Sequence, residues 1–330
     1  MALLALAHDW RQRSQREVIV LTVDHSLRPE AADEAAFVGR VCQNLNHQHE
    51  ILTWDAPRPS QKAARDARYA LLASAAHAQG AECLLTGHTF DDVVETALIR
   101  RRRGDRSSAI AGPSIAAPVP TWPEGRGLTL LRPLVRTKRQ DLRDFLVPRG
   151  QDWIEDPSNE KPVFERVRVR QFLKRHPALS DLAAAYVQPL QHARAQDLAK
   201  LSEQLLNVQV HKDGLIDTDA AEISVYLLRL LARCASGSAK DPRAEAVEDL
   251  IVRLDTKGMR QTLGGAWFQR KAKGFLIGRD PEVRGEMTSN LFDGRYIRSH
   301  GADMPDRPDL AYLIRQSAPE GSDWRQIISV

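Results

Sequence analysis

Residues 17–24 read EVIVLTVD, an unbroken run of β-branched and apolar side chains that closes on an aspartate. Such continuity, rather than alternation, predicts a strand covered on both faces, as in a parallel sheet flanked by helices. Outward from it the pattern repeats. Ala31–Leu45 has helical periodicity, Glu50–Trp54 is a second short strand, and Ser60–Gln79 is an alanine-rich helix with Ser60 as its N-cap. Glu82–Thr86 is a third strand. Asp91–Arg103 is a helix with acids in its first turn and four arginines in its last, the polarity that suits the helix dipole. Strand alternating with helix predicts an α/β fold, a doubly wound parallel sheet.

Gly104–Gly127 is a loop rich in Gly, Pro and Ser, Leu128–Arg132 a fourth strand, Thr137–Arg149 a helix, Asp156–Pro162 a turn and Val163–Arg175 a basic helix. The expected domains are 1–176, a linker helix over 177–206, a small α+β domain over 207–285 with strands around Trp267 and Phe275, and a tail of little periodicity from 286 to 330.

Composition narrows the function classes. Hydrophobic residues make up 42% of 330, ordinary for a globular protein, and no apolar run is long enough to span a bilayer. The first residues, MALLALAHDWRQR, read as an amphipathic helix and not as a secretory signal. Three scattered cysteines, Cys42, Cys83 and Cys234, fit a cytoplasmic protein and argue against a disulfide scaffold, a zinc site or a cysteine-held cluster. Charge is uneven. Residues 100–175 hold 18 Lys+Arg against 9 Asp+Glu, a basic middle that asks for an anionic partner such as nucleic acid.

Ligands of open parallel sheets bind beyond the carboxyl ends of the strands. Two polar clusters fall there, Asp24-His25-Ser26 after the first strand and Thr86-Gly87-His88 after the third, the latter followed by Asp91, Asp92 and Glu95. One of the two aspartates caps the helix they open, and clustered carboxylates beside a phosphate site suit magnesium. Glu95, one turn on, fits a salt-bridge partner as well as a ligand-facing group.

The blocks VDHSLRPEAADEAAFV, QKAARDARYALL, LLTGHTFDDVVETALIRRRRG, LLRPLVRTKRQDLRDFL and DWIEDPSNEKPVFERVRVRQFL occur in that order. Together they resemble tRNA(Ile)-lysidine synthase, of the N-type ATP pyrophosphatase superfamily, from Met1 to about Arg175; TLGGAWFQR is similar to that family's smaller C-terminal domain. The resemblance implies ligation of L-lysine to the wobble cytidine of a tRNA(Ile) with a CAU anticodon, through an adenylated tRNA, with ATP and magnesium. It implies catalytic roles for His88, Asp92 and Arg103, and an ATP pocket of Asp24, His25, Gly87 and His88. Asp91 and Asp92 would hold Mg2+, and Arg100, Arg132, Arg166, Arg168 and Arg170 would meet RNA.

Two departures stand out. Family members place a first strand and an SGGxDS loop ahead of a helix like MALLALA, so that strand is missing here; the expectation is an upstream coding stretch that supplies it. Without it, the edge of Glu17–Asp24 and the apolar face of Met1–Ala7 would lie open. In the family's GHHxxDQxET block, Thr89 replaces the second histidine and Val93 the glutamine. The alternative reading is an inactive, tRNA-binding relative without the ATP loop. A tRNA thiolase is a third; those often use paired cysteines, which this chain lacks.

Overall fold

The computed structural model describes residues 1–25, 30–55, 60–104, 108–121, 124, 125, 127–154, 165–211, 214–219, 223–238, 242–254, 259–283, 287, 288, 291, 292, 296–298 and 324–326. Ser26 and the 156–162 turn lie outside them. Two compact units divide the chain, Met1–Arg194 and Ala195–Val330.

The first unit runs α1 (Ala2–Ser14), β1 (Ile19–Asp24), α2 (Glu30–Asn44), β2 (Gln48–Thr53), α3 (Gln61–Ala78), β3 (Cys83–Leu85) and α4 (Phe90–Arg102). Then come β4 (Ala116–Pro118), β5 (Thr129–Leu131), α5 (Arg139–Leu146), α6 (Glu165–Arg175) and the start of α7 (Pro177–Leu205). Strands β1 and β2 pair in parallel, with Asp24 opposite Thr53, and β3 pairs in parallel with β5. The fold is α/β with parallel pairing, as the alternation predicts. Strand β4, inside the stretch read as loop, adds an antiparallel edge to β5. Three residues ending in Pro118 carry too little pattern to show in sequence.

Among the described residues β1 and β3 share no ladder, although α3 packs against both. All six residues of β1 are consequently only half-buried, not buried on both faces. The apolar face of α1, by contrast, is covered: Leu4 packs with Val41 and Cys42 of α2, and Arg11 donates to the Asn46 carbonyl at 2.7 Å. That corrects the expectation of an open face there, because α2 supplies the cover.

Ser60 caps α3, its hydroxyl accepting from the Ala63 N–H at 3.4 Å. Tyr69, Ala73 and Ala76 of α3 pack with Leu84 of β3 and Leu130 of β5, while Leu21 of β1 borders the same cluster. A second cluster gathers Val93, Val94 and Ala97 of α4 with Ala183 and Val187 of α7.

The second unit is an antiparallel sheet, β6 (Val208–Val210), β7 (Ile216–Thr218), β10 (Phe275–Arg279), β9 (Ala266–Arg270) and β8 (Arg260–Leu263), in that spatial order. Helices α8 (Val225–Ser236) and α9 (Ala244–Arg253) bury Leu227, Leu231 and Leu250 with Phe268 and Ile277 of the sheet. Gly278 is required by packing: a Cβ there would come within 2.5 Å of the Trp267 indole. Met287–Thr288, Leu291–Phe292, Tyr296–Arg298 and Trp324–Gln326 form a further antiparallel set. Among the described residues no helix is long and apolar enough to cross a membrane.

Candidate functional site

Two strand ends meet one helix. At the end of β1, the Trp54 N–H donates to the Asp24 carbonyl at 2.9 Å, so β2 extends as far as β1 does. The His25 ring stands edge-on to Trp54, centroids 6.0 Å apart, and its Nδ1 is buried with no hydrogen-bond partner among the described residues. Burial pushes the His25 pKa down, Arg68 pushes it further, and Asp24 opposes them. At the end of β3, the Thr86 hydroxyl and His88 Nδ1 are 2.9 Å apart. Burial drives the His88 pKa to about 4; Asp92 opposes this, while Arg132, Arg166 and Arg65 add to it. Arg65 and Arg68 sit one turn apart near the start of α3, one acting on His88 and the other on His25. Helix α3, which carries both, packs against β1 and against β3.

Arg65 rests over the Tyr69 ring, 4.9 Å from its centroid. Arg132 is buried beneath, donating to the Ser114 carbonyl at 3.0 Å and to Tyr69. A Cβ at Gly87 would meet nothing within 4 Å, so the backbone there borders open space. Histidines held neutral by burial and surrounding guanidinium groups suit an anion that supplies the missing negative charge.

Beside this lies a second assembly, of three carboxylates and three guanidinium groups. Glu95 of α4, its side chain 2% exposed, accepts from Arg170 Nε at 2.7 Å and Arg166 Nε at 2.9 Å. Arg139 approaches Glu95 at 3.7 Å and Asp92 at 3.5 Å, and Arg166 meets Asp92 at 3.2 Å. Asp92 also accepts the Thr89 N–H at 2.8 Å and the Thr89 hydroxyl at 2.9 Å, which caps α4. Burial alone would raise the Asp92 pKa; the Thr89 N–H and the Arg166 and Arg139 charges hold it below its ordinary value. Asp91 accepts the Arg139 N–H at 2.7 Å, capping α5. Each aspartate thus holds a helix start and faces a guanidinium. Both carboxylates are engaged by backbone N–H and guanidinium groups, and among the described residues no group of three or more His, Cys, Asp or Glu is placed to hold a metal.

The PP-loop domain family matches residues 1–176. A tRNA(Ile)-lysidine synthase of Hyphomonas neptunium is 38% identical over 272 residues, covering 80% of this chain and 74% of its own. Those of Mesorhizobium japonicum and Rhizobium meliloti are each 33% identical, over 318 and 358 residues, covering 89% and 97% of this chain and 68% and 77% of theirs. The chain belongs to the tRNA(Ile)-lysidine synthase family. It is therefore an enzyme, and PP-loop membership implies use of ATP. Among solved structures, a U34-tRNA thiolase of Methanococcus maripaludis superposes with a TM-score of 0.45 at 14% identity, over 58% of this chain and 67% of its own.

Within that family pattern, the two substitutions in the GHHxxDQxET block have structural accounts. Thr89 is the N-cap residue of α4, and Val93 is fully buried in the α4–α7 cluster. His88 and Asp92 come together; Arg103 does not join them. It sits past the far end of α4, about 20 Å along the helix axis from Thr89, and pairs with Glu165. Of the arginines assigned to RNA, Arg132 is buried, Arg166 and Arg170 are turned onto Glu95 and Asp92, Arg100 is half-buried in the last turn of α4, and Arg168 is exposed. Sequence reasoning missed Arg65, Arg68 and Arg139 as site residues. Arg65 and Arg68 lie in the quoted block QKAARDARYALL, spaced by three so that they share a helix face.

Proposed function

We propose that the chain carries out the reaction of its relatives: ATP-dependent attachment of L-lysine to the wobble cytidine of a tRNA(Ile) with a CAU anticodon. The cytidine O2 attacks the α-phosphorus of ATP and pyrophosphate leaves. The lysine amine then adds at C2, losing its proton as AMP departs with that oxygen. The observation that carries this reading is that Arg65 and Arg68 lie one turn apart on α3, the helix that packs against both β1 and β3, and bear on the two histidines that follow those strands. The arginines would bind phosphate oxygens as charged donors. With Nδ1 accepting from the Thr86 hydroxyl 2.9 Å away, the tautomer this reading calls for, His88 would carry its proton on Nε2 and donate it as a neutral hydrogen bond. His25 Nδ1 and the Trp54 edge would border the nucleoside, with Asp24 and Gly87 at the strand ends. Asp92 and Glu95 would act by fixing α4, α5 and α6 around the pocket.

A second reading, a tRNA-binding relative without ATP chemistry, draws on β1 and β3 sharing no ladder among the described residues. A strand pairing there would carry a backbone phosphate loop to the same end, as helix-start loops do in nucleotide-binding folds. Lysine incorporation into tRNA(Ile) should be measured with ATP for residues 1–330, and again with an upstream strand and SGGxDS loop attached. Incorporation that depends on ATP and rises sharply with the attached segment supports the first reading. None in either form rejects it.

A further inference from the structure

We propose that the outward faces of α6 and α7 form a stacking surface for unpaired bases of RNA. The proposal rests on the reading of the chain as a tRNA-modifying enzyme, and it names the surface that would take the unpaired part of that substrate.

Each helix turns one side inward. α6 buries Val167 and packs Leu173 against the α4 cluster, while Arg166 and Arg170 reach Glu95. α7 buries Ala183 and Val187 in the same cluster. What remains outside is unusual for a solvated face. On α6, spacings of four and three residues put Arg168, Phe172 and Arg175 on one exposed side. Phe172 is 44% exposed, and its ring lies 4.6 Å from that of His176, tilted by 48°. On α7, Leu179, Leu182 and Tyr186 follow at helical spacing, with Leu182 65% and Tyr186 45% exposed. None of these positions is acidic, and Lys174 and His176 are exposed beside them.

Two kinds of partner could cover exposed rings. The centre of a protein–protein interface is depleted of charged residues. On α6 and at His176 cations alternate with rings, the composition that grips single-stranded nucleic acid, where rings stack on bases while cations follow phosphates. A duplex hides its base faces, so the occupant is an unpaired segment, such as a loop. The inner arginines belong to the Glu95 assembly and do not take part. The surface rests on the outer ones, Arg168 and Arg175, with Phe172, His176 and Tyr186.

The test compares binding of two RNAs to the full chain: an anticodon stem–loop with a CAU loop, and a fully paired duplex of the same length. Phe172→Ala and Tyr186→Ala should each weaken stem–loop binding about fivefold or more and leave duplex binding and the melting temperature unchanged, whereas Phe172→Trp and Tyr186→Phe, which keep a ring, should bind as the wild type does. Arg168→Glu with Arg175→Glu should weaken both RNAs and flatten the salt dependence. Unchanged stem–loop affinity, or an equal loss for the duplex, would overturn the proposal. So would a self-association of the wild-type chain that Tyr186→Ala or Leu182→Ser abolishes, which would make this face an interface between copies. Should lysine incorporation fail while Phe172-dependent stem–loop binding persists, the enzymatic reading falls and the stacking surface stands.

Discussion

Arg170 Nε lies 2.7 Å from Glu95 Oε1, joining α6 to α4 across 75 positions of sequence. The bond to Glu95 raises the Arg170 pKa, so the guanidinium stays charged throughout the accessible pH range. Removing one side of such a pair leaves the other buried and uncompensated, which costs far more than the pair contributes. Glu95→Ala would leave three guanidinium groups sharing Asp92, with Arg139 also near Asp91. Its stability should fall by about 3 kcal/mol, against a change within about 0.5 kcal/mol for Arg168→Ala on the exposed side. Urea denaturation of the two variants beside the wild type decides this; a Glu95→Ala midpoint close to wild type would show the cluster to be solvent-compensated. Loss of tRNA binding in Arg170→Ala should accordingly track loss of folded protein.

His88 gives the pH dependence its sign. Its pKa in the folded chain is about 4, against about 6.5 when unfolded. The unfolded state therefore takes up a proton first as pH falls. The contribution to stability is complete above pH 6.5 and is lost progressively down to about pH 4. Melting temperatures of wild type and His88→Gln should converge across that window and run parallel above it. In histidine NMR spectra at pH 5.5, the His88 ring should remain neutral. A ring half-protonated near pH 6.5 would contradict the burial assigned to it.

How much of this was legible differs by residue. The strand EVIVLTVD and the polar residues after it announce themselves because a parallel strand is apolar up to the binding edge and polar beyond it. His88 and Asp92 were visible on that logic. Arg65 and Arg68 were not: on an alanine-rich helix, arginines three apart look the same whether they face water or a pocket. The fate of Arg166 and Arg170 was hidden by distance, because no local pattern says that a basic helix will turn two of its five cations onto a glutamate some 70 positions earlier. Val93 in place of a polar family residue could have been read as a core position, and the structure buries it.

Arg65 and Arg68 supply the test of the anion site. Each should make a charge-assisted bond to phosphate worth roughly 1.5–3 kcal/mol, so Arg65→Ala or Arg68→Ala should raise the KM for ATP about tenfold or more. Arg68→Ala should also raise the His25 pKa, since Arg68 is one of the groups that lower it. NMR titration of His25 in that variant separates a local charge effect from general unfolding. An ATP KM unchanged in both variants would place the phosphates elsewhere.

Thr89 tests how this chain accommodates its departure from the family block. The residue is buried at the start of α4, and its hydroxyl donates to the Asp92 carboxylate at 2.9 Å while its N–H donates to the same oxygen at 2.8 Å. Thr89→Val keeps the shape and the N–H but removes the hydroxyl. One of the bonds that hold the Asp92 pKa down is then gone, and stability should fall by about 1 kcal/mol, the usual size for a lost cap or hydrogen bond. Thr89→His, which restores the family's residue, loses the same hydroxyl and should be destabilised similarly in this background. Neither change removes Arg65, Arg68 or His88, so the ATP KM should rise far less than in Arg65→Ala or Arg68→Ala. Thermal unfolding and steady-state kinetics on both variants give the two readouts. A Thr89→Val melting temperature equal to wild type would mean that the backbone N–H alone caps α4. A large rise in the ATP KM would bring Thr89 into the nucleotide site itself.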